Sequence, residues 1–213
     1  DVGLDRGMIG SYGHDDRVCA YTALMAELTQ TEVPEYTSIV VLADKEEVGS
    51  DGNTGLHSAY LKYFIADLAA PHGIAARTVL SASKCLSADV TNAHDPSFAS
   101  VTEKNNTAYL NYGTCIMKYT GHGGKSGTND SDARYMGEVI RVLEGADVIW
   151  QTGELGKVDQ GGGGTVAKFI SQLNVDTIDI GVPVLSMHAP FEVVSKLDVY
   201  QTYKAFDAFI KRK

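Results

Sequence analysis

A continuous apolar stretch, Thr37-Ser38-Ile39-Val40-Val41-Leu42-Ala43, constrains the fold of this chain more than any other feature. β-Branched residues lose side-chain freedom in a helix and pack well on a pleated surface. A half-exposed strand alternates apolar and polar residues, and this run does not. It predicts a buried central strand in a sheet covered on both faces.

The segments around it alternate in character. Asp16 to Leu28 carries an apolar stripe of Val18, Tyr21, Ala23, Leu24 and Leu28 and predicts a helix, after which Pro34 breaks the chain. A second helix is predicted over Thr54 to Leu68, ending before Pro71, with strands over Arg77 to Ala82 and Thr114 to Lys118. Asp130 to Leu143 predicts a helix, Ala146 to Gln151 a short strand, and Thr165 to Leu173 a helix opened by Gly161 to Gly164. Val175 to Ile180 and Val182 to Met187 read as late strands. Leu197 to Ile210 reads as an amphipathic helix with Val199, Tyr203, Phe206 and Ile210 on one face. Strands alternating with helices predict an α/β chain: a three-layer αβα domain around a central, mostly parallel sheet.

The 213 residues suffice for one substantial core, or one domain with a small extra element. A net charge of −9 disfavours nucleic acid, whose phosphates need clustered Lys and Arg. No apolar run reaches membrane-span length, so a membrane partner is not expected. Cys19, Cys85 and Cys115 are odd in number and lack CxxC spacing, which reads as reduced thiols in a cytoplasmic protein. The start, Asp1-Val2-Gly3-Leu4-Asp5, has neither the basic residues nor the apolar stretch of a signal peptide, and no initiator Met. The expectation is a segment of a longer chain.

Four short stretches carry candidate chemistry. In Asp44-Lys45-Glu46-Glu47-Val48-Gly49-Ser50, two adjacent carboxylates follow the predicted central strand, where open α/β sheets bind ligands. Adjacent Glu residues repel unless a cation or proton separates them, so one suits a metal and the other a proton, although a solvated acidic loop is the plainer reading of this motif alone. In Gly13-His14-Asp15-Asp16-Arg17, either Asp can cap the following helix, while Asp15 can also bridge two cations. Asp89, after Ser87-Ala88, is a further ligand candidate, and His94 nearby reads as a supporting or surface residue. His188 ends an apolar strand in Ser186-Met187-His188, where a structural role is the plainer reading. Each signal is weak alone; jointly they supply the carboxylates and imidazole of a hydrolytic zinc site.

With Leu197-Asp198-Val199-Tyr200 after them, these stretches occur in an order that resembles the aspartyl aminopeptidase family, which includes vacuolar aminopeptidase I. The bacterial aminopeptidase I branch fits best, through Glu154-Leu155-Gly156-Lys157-Val158-Asp159-Gln160 and the four glycines after it. The resemblance implies a zinc-peptidase fold and two Zn²⁺ ions, with Mn²⁺ or Co²⁺ as substitutes. It implies Asp15 as the bridging ligand, Glu47 and His188 completing the first site, and Asp89 in the second. Glu46 matches the general base acting on the water between the metals. Loosely, Lys118 matches a position that receives acidic substrate side chains. From their own place ahead of a predicted helix, Gly161 to Gly164 read as close backbone packing beside the metal site, with substrate contact at Gly161 and Gly162 as the alternative.

The implied activity is removal of N-terminal residues from peptides, acidic residues being one preference, by a homo-oligomer, commonly a dodecamer. A related zinc carboxypeptidase or deacetylase is less well matched by Lys45-Glu46-Glu47-Val48-Gly49-Ser50. One departure stands out. The family has a further His ligand for the second metal, upstream of a dimerisation domain, and adjacent His14 is a poor substitute for it. The expectation is that residues 1–213 are the C-terminal part of the catalytic domain, binding the second metal weakly and catalysing poorly alone. A non-catalytic or fragmentary subunit of an aminopeptidase-like assembly is the alternative.

Overall fold

Four-stranded sheets and the helices packed on them position every candidate residue. The computed structural model describes residues 1–123, 126–157 and 159–213. Val158 of the Glu154–Gln160 stretch lies outside the described residues. In chain order the strands are β1 (Met8–Ser11), β2 (Lys84–Ala88), β3 (Thr91–Asn92), β4 (Thr114–Met117), β5 (Tyr119–His122), β6 (Ser126–Asp130), β7 (Trp150–Thr152), β8 (Asp176–Gly181), β9 (Pro183–Leu185) and β10 (Glu192–Ser195). The helices are α1 (His14–Leu28), α2 (Tyr60–Ala69), α3 (Ala76–Ala82), α4 (Ala133–Gly145), α5 (Ala167–Ser171) and α6 (Lys196–Ile210).

The main sheet runs β2-β8-β4-β7, parallel at β2–β8 and β4–β7 and antiparallel at β4–β8. Alternation along β8 sorts its side chains onto two faces. Ile178 and Ile180 enter a core with Tyr135, Val139 and Leu143 of α4 and Phe206 of α6. Asp179, on the opposite face, accepts a hydrogen bond from Thr165, just ahead of α5. Helices therefore cover both faces, and the layers are αβα. The second sheet, β1-β10-β9-β3, carries a smaller core of Cys19, Val90, Val182, Val184 and Val194.

Local chemistry explains the elements that match expectation. Asp132 caps α4 by accepting from the N–H groups of Arg134 (2.8 Å) and Tyr135 (3.2 Å), and Ser195 caps α6 through Leu197 N–H (3.2 Å). The apolar i, i+4, i+8 residues of α4 are the ones buried against β8.

Two expectations fail, and two others hold only in part: α2 starts at Tyr60 and not at Thr54, and the strand expected over Ala146 to Gln151 starts at Trp150. Arg77 to Ala82 is helical within α3, closed by Thr78 and Val79 N–H bonds to the Ala75 carbonyl; the strand begins afterwards, at Lys84. Thr37 to Ala43 forms no strand, and no backbone hydrogen bond joins it to another described residue. β-Propensity is realised only against cross-strand neighbours, and no described strand pairs with this run. Val41 (47%) and Leu42 (59%) stay exposed. Thr37 and Ile39 form one wall of a broad groove of about 1310 Å³, and Ser83 and Lys84, at the free edge of the main sheet, form part of another.

Candidate metal centre

Three loops and one turn converge at the carboxyl ends of β2 and β9. β1 leads through a turn into Asp15 and Asp16, whose backbone angles are non-helical although they open α1. The Glu46–Val48 turn is tied by Gly49 N–H to the Glu46 carbonyl (2.9 Å) and Ser50 N–H to the Lys45 carbonyl (2.7 Å). Asp89 leaves β2, and β8 passes so close that a side chain at Gly181 would meet the Asp89 carbonyl at 1.6 Å. His188 lies between β9 and β10. Lys45 (φ 64°), Ser186 (φ 60°) and His188 (φ 65°) adopt left-handed backbone, which side chains other than glycine rarely take. Such strained residues cluster at ligand sites, where the surrounding structure holds them.

The side chains meet in two groups that share Asp15. In the first, His188 Nε2 lies 2.9 Å from Asp15 Oδ2 and 3.3 Å from Glu47 Oε1. In the second, one carboxylate oxygen each from Asp15, Asp16 and Asp89 lie within 4.8 Å of one another. Carboxylates this close repel. Burial, then Glu47, pushes Asp15 up to about 6. Burial pushes Asp16 up to about 8 and Asp89 well above the usual range, each raised further by its neighbours. Glu46 is pushed to about 7, first by burial and then by Glu47 and Asp15. Asp16 Oδ1 is also buried without a hydrogen-bond partner among the described residues. A donor set of hard oxygens with one imidazole, under mutual repulsion and with an orphaned oxygen, fits divalent zinc.

The sequence-derived ligand candidates Asp15, Glu47, Asp89 and His188 are thus brought together, with Glu46 on the wall of the same cavity of about 310 Å³. His94 stands apart, hydrogen-bonded to Thr102 Oγ1 (3.2 Å) and packed on Tyr109, and His14 turns its Nε2 toward the Ile9 carbonyl (3.2 Å). The substrate-contact candidates are not on the cavity wall. Lys118 is held in an ion pair by Asp130. Gly161 is turned against the backbone of Gly156 and Lys157, and the wall is built from the next glycines, Gly163 and Gly164.

Sequence reasoning missed three participants: Asp16 as a ligand-group member, Lys168 on the cavity wall, and buried Glu192. Asp16 had a signal in its adjacency to Asp15. Lys168 and Glu192 had none, because only the packing of α5 and the β1–β10 pairing brings them in.

Behind the glycine loop, fully buried Asp179 is pushed up to about 6 by burial, opposed by the hydrogen bond it accepts from Thr165 Oγ1 at 2.7 Å. Between the ordinary 3.8 and about 6 the folded chain holds this proton and the unfolded chain releases it. Stability therefore falls as pH rises through that window, by up to roughly 3 kcal/mol. Asp179→Asn is expected to remove this component. Urea unfolding free energies measured at pH 4 and pH 7 should differ by less in the variant than in the parent, and an unchanged difference would refute the assignment.

Comparison with known proteins gives a consistent result. The family model described as aminopeptidase I zinc metalloprotease (M18) matches residues 1–210. A probable M18 family aminopeptidase 1 from Borreliella afzelii is 46% identical over 217 residues, covering 99% of this chain and 47% of the relative. The crystal structure of aminopeptidase I from Clostridium acetobutylicum matches with a TM-score of 0.93 at 46% identity, over 100% of this chain and 46% of the other. The mApe1 dodecamer of S. cerevesiae shares the fold, with a TM-score of 0.81 at 24% identity, over 99% of this chain and 47% of that one. The chain spans about half the length of the curated relatives it matches.

Proposed function

The chain belongs to the aminopeptidase I zinc metalloprotease (M18) family, and from that premise we propose that residues 1–213 carry catalytic-domain machinery of a metalloaminopeptidase acting on peptide N-termini. The observation that carries this reading is the convergence of two ligand groups on Asp15 with Glu46 lining the same cavity. Asp15, Glu47 and His188 would hold one zinc ion, and Asp15, Asp16 and Asp89 would contribute to a second. Bound zinc supplies Lewis acidity and acidifies a coordinated water.

Glu46 receives the proton of the attacking water at its carboxylate and delivers it to the departing amine, a relay its place on the cavity wall beside Glu47 and Asp15 allows. The Glu46–Val48 turn keeps that carboxylate beside the ligands while Gly163 and Gly164 let backbone approach the substrate. Lys168 forms no ion pair with a described residue, and its ammonium stands 4.8 Å over the Phe169 ring on the cavity wall. A cation there favours substrates with a carboxylate, which supports acidic N-terminal residues as one preference.

Homo-oligomeric assembly, a dodecamer being the form to look for, is carried over from the related folds. No described helix is long and apolar enough to cross a membrane. The three free cysteines support a reducing compartment such as the cytoplasm.

The test is zinc content, with release of amine from aminoacyl substrates, before and after chelation, in this chain and in a longer family polypeptide containing it. Zinc-dependent release is expected. Zinc uptake without release in either form selects a non-catalytic subunit, and a folded chain that takes up no zinc ends both readings.

A further inference from the structure

The geometry points to Glu192 as the positioning residue that sets the relative placement of Asp15 and His188. Its side chain is 2% exposed, yet it forms no ion pair with any described residue. Instead its two oxygens are divided between two backbone donors from distant parts of the chain. Oε2 accepts from Asp15 N–H at 3.1 Å, and Oε1 accepts from His188 N–H at 2.8 Å.

The sheet delivers Glu192 to that point. β1 pairs antiparallel with β10, and Ser11 lies opposite Glu192, so β1 leaves the sheet beside this residue on its way to Asp15. The 186–191 loop enters β10 at the same place, bringing back the left-handed His188. A carboxylate is the one short group that presents acceptors on both oxygens. One side chain thus fixes two ligand backbones separated by 173 positions in sequence, and the His188 and Asp15 side chains meet at 2.9 Å above it. Metal ligands need placement within a fraction of an ångström, supplied by the groups behind them.

This inference rests on the metal-centre reading, and its test separates the two. Glu192→Gln keeps the shape but turns an amide NH₂ toward one of the two N–H donors. On the 213-residue chain, zinc affinity is measured by competition with a chromophoric chelator, and the visible spectrum is recorded at saturating Co²⁺. The expected result is roughly 10- to 100-fold weaker zinc binding, with altered cobalt bands.

Asp198→Asn is the control for a general structural effect. Asp198 is likewise buried and accepts two backbone bonds, from Asn111 (2.8 Å) and Gly113 (2.7 Å). It is expected to lower the melting temperature while leaving zinc affinity and the cobalt spectrum as in the parent. Should Glu192→Gln not fold, Glu192→Asp, whose shorter arm reaches only one donor well, is measured to the same threshold. Parental zinc affinity and cobalt bands in a folded Glu192 variant overturn the positioning role. An equal loss in Asp198→Asn overturns it too. Failure of the unsubstituted chain to bind zinc overturns the metal centre itself.

Discussion

Glu46→Gln is expected to abolish nearly all peptide hydrolysis while leaving the zinc content unchanged. Gln has the shape of Glu and preserves the Glu46–Val48 turn, whose hydrogen bonds are made by backbone. It cannot take up a proton. General-base catalysis contributes on the order of 10²- to 10⁴-fold, and a loss of that size in kcat is the predicted outcome. KM should change little, because Glu46 acts on the water and not on the substrate's binding groups. The measurement is kcat and KM on aminoacyl substrates together with elemental zinc analysis, in the assembled enzyme. A variant that keeps its kcat within a few-fold removes Glu46 from the proton relay. A variant that loses zinc along with activity would instead make Glu46 a ligand.

Asp15→Ala is expected to have the largest effect on metal binding, because Asp15 is the member common to both ligand groups. Loss of His188 or Asp89 would damage one group, whereas loss of Asp15 leaves Glu47 and His188 on one side and Asp16 and Asp89 on the other. Two protein ligands hold zinc far less tightly than three or four. Zinc retained after dialysis should fall from the parental value toward zero.

A thermal scan gives an independent reading. A ligand that binds only the folded state stabilises it by about 2.7 kcal/mol at one hundred times its dissociation constant, so zinc should raise the parent's melting temperature and leave that of Asp15→Ala nearly unchanged. Full zinc retention by Asp15→Ala, with a parental thermal shift, would remove this residue from the centre.

Much of the helical layer was legible in the sequence. The Tyr135, Val139 and Leu143 spacing and the capping Asp132 marked α4, and the Leu197 to Ile210 periodicity marked α6. Such elements are specified by residues within a few positions of one another, and short-range chemistry is what a sequence displays directly. Arg77 to Ala82 misled because a six-residue segment is short enough to satisfy either period, and contacts outside it decided for helix. Thr37 to Ala43 misled for a deeper reason. Its composition states what it would do beside another strand and cannot supply that strand.

The candidate site divides in the same way. The sequence displayed the candidate donors Asp15, Glu47, Asp89 and His188, with Glu46 beside one of them, because the motifs around them are local, and the resemblance to a family supplied the roles proposed for them. Only the tertiary structure decided that Asp16 joins the second group, that Lys168 and not Lys118 faces the cavity, and that Glu192 lies between the ligand backbones. Those placements depend on the register of β1 against β10 and on how α5 packs over β8, which are set by contacts between residues far apart in the chain and leave no mark in the residues nearby.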